Sequence, residues 1–204
     1  HTLRESKQVA QYLEKAGVHW LNVQAGWLES PQPLIQSSVP QGAYVYLAEE
    51  IKKCVNIPVV AAYRVNSPAL ATQIIAEGRA DLVGMCRALI ADPYLPNKAK
   101  DGNLDDIRPC IACCECLDSQ YIRGEPMGCS VNPWVGREHE SYLTQATKPK
   151  RVFVVGGGPA GMQAAIVARQ CGHKVTLFEK ESDLGGQLIS AGKPPYKEDI
   201  VSFN

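Results

Sequence analysis

The sequence predicts an α/β fold, because strand-length apolar stretches alternate with helical patterns along most of the chain. Apolar stretches at 18–25, 57–62 and 80–85 are each followed by a helical pattern. A further stretch, 151–155, runs into a glycine-rich loop and another helical pattern. Alternation of this kind is typical of parallel strands joined by helical crossovers.

Local signals mark two of the early helices. Thr2 followed by Glu5 is a capping box, and the helix that it starts carries Val9 and Leu13 on one face. The pair Ser67-Pro68 is an N-cap followed by proline at the first helical position. Both signals place a helix where the alternation requires one.

We expect three zones. Residues 1–100 contain three strand–helix units, which could be the last three of the eight in a (β/α)8 TIM barrel; a doubly wound sheet is the competing architecture. Residues 101–149 show little periodicity and hold most of the cysteines, which predicts organisation by a metal cluster. Residues 150–204 read as the start of a Rossmann-like nucleotide-binding domain. We therefore expect an internal fragment of a longer polypeptide.

Composition argues against several classes of partner. The chain has 204 residues, of which 45% are hydrophobic, with 21 basic and 21 acidic side chains. Without a basic excess, neither nucleic acid nor an anionic membrane surface is an expected partner. No apolar run approaches the roughly 18 residues of a membrane span, and no secretory leader is visible. The default expectation is a soluble cytoplasmic protein that acts on a small molecule.

The cysteine spacing predicts a metal site. Five of the eight cysteines lie between positions 110 and 129, in the pattern Cys110-x2-Cys113-x2-Cys116-x12-Cys129. Three thiolates on a tight loop can reach three corners of a [4Fe-4S] cubane, and a distant fourth closes the site. Zinc is the alternative, although zinc ribbons usually divide their cysteines two and two. Spacing favours Cys114 as a non-ligand without excluding it.

A nucleotide-binding signature follows the fourth apolar stretch. Gly156, Gly158 and Gly161 fit G-x-G-x-x-G between a strand and a helix, and allow a pyrophosphate to approach the helix N-terminus. The next strand ends at Glu179, whose carboxylate is placed to hydrogen-bond ribose hydroxyls. A glycine turn that binds no nucleotide is the alternative. The order of strand, glycines, helix, strand and acid favours the nucleotide.

Two arginines predict a phosphate site in the first zone. The run Gly84-Met85-Cys86-Arg87 follows the third apolar stretch, and Arg64 follows the second. In TIM barrels the loops after strands seven and eight commonly bind a phosphate. Either guanidinium could supply the cation. Solvated loop arginines are the alternative interpretation.

Taken together, these motifs resemble the iron-sulfur flavoenzyme branch of the Old Yellow Enzyme superfamily, typified by 2,4-dienoyl-CoA reductase and trimethylamine dehydrogenase. The matching stretches occur in family order and span nearly the whole chain. They are Gly26-Trp27, residues 39–44, residues 78–87, Ala91-Asp92-Pro93, residues 108–113, the glycine loop and Gly185-Gly186-Gln187.

The resemblance implies three cofactors in one chain: FMN in the barrel, a [4Fe-4S] cluster, and FAD, or ADP in the amine dehydrogenases. It places Tyr63, Arg64, Met85, Cys86 and Arg87 around the FMN phosphate. The adenosine half of FAD would be held by the glycine loop with Glu179 and its neighbours, namely Gly156, Gly158, Pro159, Ala160, Gly161, Lys180, Gly186 and Gln187. In such reductases electrons run from NAD(P)H through FAD and the cluster to FMN, and then to an activated alkene.

Two departures bear on activity. Leu28 stands where the dienoyl-CoA reductases carry a histidine that helps to protonate substrate, so no catalytic acid is assigned. The spacing of two residues between Cys113 and Cys116 resembles that of the amine dehydrogenases, whereas the dienoyl-CoA reductases have three residues there. The amine dehydrogenases donate electrons to an electron-transfer flavoprotein. Trp27 is expected to pack near the flavin and Glu29 to lie at the barrel mouth. The sequence identifies neither the substrate, nor NADH against NADPH, nor the oligomeric state.

Overall fold

Three parallel strands lie at the centre of the first hundred residues in the computed structural model, which describes residues 2–26, 35–140 and 143–203. Strands β1 (Leu21–Val23), β2 (Val59–Ala61) and β3 (Leu82–Val83) form a sheet in the order β1-β2-β3. Both pairings are parallel. The α/β prediction is therefore confirmed, and this local geometry is common to barrels and doubly wound sheets.

Helix α1 (Leu3–Lys15) begins with the predicted capping box. The Glu5 amide donates to Thr2 Oγ1 at 3.3 Å, and the Thr2 amide donates to Glu5 Oε2 at 2.6 Å. The expected apolar face is wrong, because Val9 and Leu13 are 44% and 39% exposed whereas Ala10 is buried. The reason is tertiary, since α1 packs with its Ala10 side towards helix α2.

Helices α2 (Val45–Lys52) and α3 (Pro68–Ala76) pack with the sheet. The Ser67 cap is confirmed, because its hydroxyl accepts from the Leu70 amide at 3.3 Å. The core between helices and sheet is aliphatic, and each larger side chain that it buries contributes about 1.5–3 kcal/mol. Its members are Ala10, Val45, Ala48, Ile51, Val59, Ala61, Val65, Ile74 and Ala80.

Short helices and turns follow β3. Helices α4 (Cys86–Ala91) and α5 (Leu95–Lys100) lead into the cysteine segment. In the described part of that segment, residues 101–140 and 143–149, the regular structure consists of the single-turn helix α6 (Glu115–Leu117), a π-helical turn over Asp118–Ile122 and two 3-10 turns, Leu104–Asp106 and Glu138–Glu140. The low periodicity of the sequence predicted such a segment.

A second parallel sheet carries the glycine loop. Strands β4 (Arg151–Val155) and β5 (Lys174–Phe178) pair in parallel on either side of helix α7 (Pro159–Gln170). Helix α7 begins at Pro159, directly after the last residue of G-x-G, because proline is tolerated at the first helical position. Helix α8 (Gln187–Ala191) and a 3-10 turn, Glu198–Phe203, follow.

Within the described ranges, none of the helices combines the length and the apolar character needed to cross a bilayer.

Candidate functional site

The loop after β2 holds two of the predicted phosphate-site residues in an unusual backbone conformation. Tyr63 and Arg64 have φ angles of 74° and 48°. Non-glycine residues rarely adopt this left-handed region, and such strain concentrates at functional sites. Burial raises the pKa of the Tyr63 phenol, and the positive charge of Arg87 opposes that rise. The side chains of Tyr63 and Arg87, from neighbouring loops, are thus close enough to interact.

The two predicted arginines converge on one short stretch of backbone. Arg64 Nη1 donates to the Ser37 carbonyl at 2.7 Å, and Arg87 Nη1 donates to the Ile35 carbonyl at 2.6 Å. The Arg64 side chain is only 5% exposed, so the solvated interpretation is wrong for this residue. Its Nε is buried without a hydrogen-bond partner among the described residues. A buried donor of this kind fits a site for an anionic or polar group such as a flavin phosphate.

The other two phosphate-site candidates face a different space. Met85 and Cys86 line a cavity of about 440 Å³ together with Met127 and Asn132 of the cysteine segment. The structure therefore places Arg64 and Arg87 on the same stretch of backbone and Tyr63 within reach of Arg87, whereas Met85 and Cys86 line a separate cavity.

The four predicted cluster ligands lie near one another. Burial is the main reason why the pKa of Cys116 rises to about 11, and the thiols of Cys110, Cys129 and Cys113 add to the rise while Arg87 opposes it. Burial likewise raises the pKa of Cys110, and Cys113 and Cys129 contribute. Cys110 and Cys116 therefore favour a strongly positive partner for their ionised forms. Iron supplies that charge in iron-sulfur sites.

The local backbone turns sharply between these ligands. Ala112 and Cys114 have left-handed φ angles of 52° and 63°. The Ala112 amide donates to Cys110 Sγ at 3.4 Å, and Cys113 Sγ lies 3.3 Å from the Ser130 hydroxyl. Hydrogen bonds to sulfur are typical of cluster ligands and tune the reduction potential. The donor set and its surroundings therefore fit a [4Fe-4S] cluster.

No group of three or more His, Cys, Asp or Glu side chains within residues 2–26, 35–140 and 143–203 is arranged to hold a single metal ion. A cubane takes one thiolate at each of its irons, so its ligands need not converge on one point. That finding therefore concerns a mononuclear site rather than a cubane.

Ser119 joins the two parts of the cysteine segment. Its hydroxyl donates to the Glu115 carbonyl at 2.9 Å and accepts from the Gly128 amide at 3.0 Å. Ser119 is 1% exposed, so both bonds are shielded from water. The contact places Cys129, the residue after Gly128, beside the helix that carries Cys116.

Two contacts connect the cysteine segment to the loops after β2 and β3. The Asn66 side-chain amide donates to the Cys110 carbonyl at 3.1 Å, and Arg87 Nη1 donates to Cys114 Sγ at 3.6 Å. Cys114 thus faces the arginine. The sequence did not reveal the role of Asn66, because its partner lies 44 residues away in the chain.

Asp92 anchors the start of the same segment. It is 2% exposed, and its carboxylate accepts from Lys98 Nζ at 2.7 Å, from the Arg108 amide at 2.9 Å and from the Tyr94 amide at 3.0 Å. Burial would raise the pKa of Asp92, but the hydrogen bonds from Lys98 and Arg108 outweigh it and hold the pKa below its usual range. Asp92 lies in Ala91-Asp92-Pro93, one of the stretches that carry the family resemblance. The sequence does not show that its carboxylate binds the Arg108 amide.

The glycine loop is tightly built around Gly161. A Cβ added at Gly161 would overlap the Gly156 carbonyl oxygen, whereas one at Gly158 would meet no atom within 4 Å. Gly186 directly precedes Gln187 at the start of α8 and lies close to Gly158. A Cβ added at Gly186 would be 3.3 Å from the Gly158 Cα. Pro159 and Ala160 form the first residues of α7. The open side of Gly158 is where a pyrophosphate could approach.

Glu179 contacts the loop itself. Its carboxylate accepts from the amides of Gly157 at 2.6 Å, Lys180 at 2.7 Å and Glu181 at 3.1 Å. The hydrogen bonds from Glu181, Gly157 and Lys180 hold the pKa of Glu179 below its usual range. The carboxylate is therefore ionised and fixed at the end of β5. Its role towards ribose remains a prediction, as does that of the exposed Lys180.

A cavity of about 670 Å³ separates the cysteine segment from the glycine-loop unit. Arg108 and Cys129 line one side, and Pro159 and Met162 of α7 line the other. The fourth predicted cluster ligand and the start of α7 thus border the same space.

The predictions for Trp27, Leu28 and Glu29 lie outside the described residues.

Parallel strand–helix units in both parts of the chain place it in the α/β class that flavin-binding barrels and nucleotide-binding domains share. Residues 5–106 match the NADH:flavin oxidoreductase / NADH oxidase family, and residues 151–200 match the FAD dependent oxidoreductase family.

Similar proteins agree with these matches. The NADH oxidase of Thermoanaerobacter brockii is 52% identical over 206 residues, which cover 100% of this chain and 32% of that protein. The metal reductase of Desulforamulus reducens is 48% identical over 202 residues, 98% of this chain and 30% of that protein. The solved complex of 2-naphthoyl-CoA reductase with 2-naphthoyl-CoA has a TM-score of 0.95 and 38% identity, over 100% of this chain and 31% of that one.

The chain therefore belongs to the NADH:flavin oxidoreductase / NADH oxidase family. It spans about a third of the length of the relatives that it matches.

Proposed function

We propose that this chain is the cofactor-linking part of an NAD(P)H-dependent reductase of α,β-unsaturated carbonyl compounds. The observation that carries the proposal is the contact between the loop after β2 and the cysteine segment, where Asn66 bonds the Cys110 carbonyl at 3.1 Å. A predicted flavin-phosphate loop and a predicted cluster ligand are thereby held together.

On this proposal each part of the chain binds one cofactor. Tyr63, Arg64 and Arg87 would hold the FMN phosphate. Four cysteines would hold the cluster, and the glycine loop with Glu179 would hold the adenosine half of FAD. When bound, these groups supply the redox chemistry that carries electrons from NAD(P)H to an enone or enoyl-CoA.

Three contacts support this order of cofactors. Asn66, from the loop after β2, bonds the carbonyl of the proposed first ligand Cys110, and the proposed fourth ligand Cys129 lines a cavity together with Pro159 of the glycine-loop unit. Buried Asp92 accepts a hydrogen bond from the Arg108 amide, just before Cys110 in the chain. This arrangement supports a relay through the cysteine site.

The test is turnover by the anaerobically purified holoenzyme. Oxidation of NADH or NADPH that depends on an added enone or enoyl-CoA is the expected result. If NAD(P)H is not oxidised with any such substrate, the reductase proposal is wrong.

The second candidate is an amine dehydrogenase that passes electrons to an electron-transfer flavoprotein. The two-residue interval between Cys113 and Cys116 favours it. Flavin bleaching by simple amines without a nicotinamide would identify this activity. A third candidate is a nucleotide-binding protein without redox activity, in which the cysteines bind a structural zinc ion. Such a protein would contain zinc and no iron.

A further inference from the structure

Four residues from distant parts of the chain are joined in a row by polar contacts, and we call this group the clasp: Asp199, Arg64, Ser37 and Lys197. Arg64 Nη2 lies 3.1 Å from Asp199 Oδ2, and Lys197 Nζ donates to the Ser37 hydroxyl at 3.1 Å. Arg64 Nη1 donates to the Ser37 carbonyl at 2.7 Å and so connects the two pairs. The clasp joins the segment after α8 to the loop after β2.

Burial makes the ion pair of the clasp significant. The side chain of Arg64 is 5% exposed and that of Asp199 is 38% exposed. A buried guanidinium is costly unless a negative charge and good acceptors compensate it. Asp199 and Ser37 supply these to the two Nη atoms, while Nε is buried without a partner among the residues that the structure describes.

We propose that Asp199 is a positioning residue for the flavin site: it fixes the guanidinium of Arg64 so that Nε is directed to bound FMN, and it offsets part of the Arg64 charge there. This inference rests on the proposed function, because it requires FMN beside Arg64. A planar guanidinium held at both Nη atoms has a fixed orientation. A positive charge close to bound FMN favours the reduced flavin, because reduced flavin carries more negative charge than oxidised flavin.

The test is the FMN midpoint potential of the anaerobic holoenzyme in matched variants. In Asp199→Asn the positive charge of Arg64 is no longer offset, so the equilibrium should shift towards reduced FMN by about tenfold, or about 30 mV for a two-electron couple. Asp199→Glu should restore the wild-type potential. Asp101→Asn, an exposed carboxylate at the end of α5, should leave it unchanged.

Lys197→Gln separates a charge effect from a loss of packing. Lys197 holds its positive charge on Ser37, next to Arg64, so removing that charge should lower the FMN potential, whereas Asp199→Asn should raise it. Shifts in the same direction in both variants, or a potential in Asp199→Asn equal to that of Asp101→Asn, would overturn the positioning role and leave the proposed function intact. A wild-type enzyme without FMN would overturn both.

Discussion

The side-chain amide of Asn66 donates a hydrogen bond of 3.1 Å to the backbone carbonyl of Cys110. Asn66 is 7% exposed and follows Arg64 by two residues, so one short loop contacts both the predicted flavin site and the first predicted cluster ligand. The positions of the two sites are therefore coupled through local backbone rather than through a long path.

Asn66→Ala should make the cluster easier to lose. The variant leaves the Cys110 carbonyl without its donor, at a cost of about 1 kcal/mol, and loosens the first ligand. Anaerobic bleaching of the visible absorbance by a chelator should be faster than in the wild type. Asn56→Ala, an exposed asparagine before β2, is the matched control. Equal bleaching rates in the two variants would show that the bond does not support the cluster.

Cys116→Ser should abolish iron binding, and Cys114→Ser should not. Cys116 shares a partly buried site with three other thiols, whereas Cys114 Sγ faces Arg87 at 3.6 Å. Iron and acid-labile sulfide per chain measure both effects. Loss of iron in Cys114→Ser to the same degree would place Cys114 among the ligands.

Gly161→Ala and Gly158→Ala should fail in different ways. The added Cβ of Gly161→Ala overlaps the Gly156 carbonyl oxygen, so the loop must distort and the melting temperature should fall. The added Cβ of Gly158→Ala meets no protein atom, so stability should be unchanged while FAD or ADP binding weakens. Thermal unfolding and nucleotide titration separate the two. Unchanged nucleotide affinity in Gly158→Ala would contradict the site.

Asp92→Asn should destabilise the protein by about 1–3 kcal/mol at neutral pH, because three donors lose a buried carboxylate. The pKa of Asp92 is lowered on folding, so its stabilisation is complete above the unfolded value of about 4 and is lost as pH falls through the folded pKa. Urea unfolding should show a difference from wild type that shrinks below about pH 4. A difference that persists there would exclude ionisation as the cause, and Asp101→Asn is the control.

Local chemistry explains what the sequence could predict. The Thr2 and Ser67 caps and the strand that precedes the glycine loop depend on neighbouring residues, and all three are confirmed. The parallel pairing follows from the alternation of strands and helices and is confirmed as well. The face of α1 was predicted wrongly, because burial of Ala10 depends on α2, which lies far along the chain. Periodicity identifies an apolar face but not its partner.

The polar contacts of the site were beyond sequence reasoning for the same reason. Asn66 bonds a residue 44 positions away, and Arg64 bonds Asp199 across 135 positions. The sequence around Asn66 or Asp199 does not indicate which distant residue its side chain will contact. Cys110 and Gly161 could be predicted as site residues from the spacing of their motifs. A cluster and a glycine turn each constrain residues that are close in sequence.

On the proposed function, Cys110, Cys113, Cys116 and Cys129 hold a [4Fe-4S] cluster between two flavin sites. Iron, acid-labile sulfide and zinc analysis of the anaerobically purified holoenzyme is the most direct test of this cluster. We expect about four irons and about four sulfides per chain, with negligible zinc. Stoichiometric zinc without iron would contradict it.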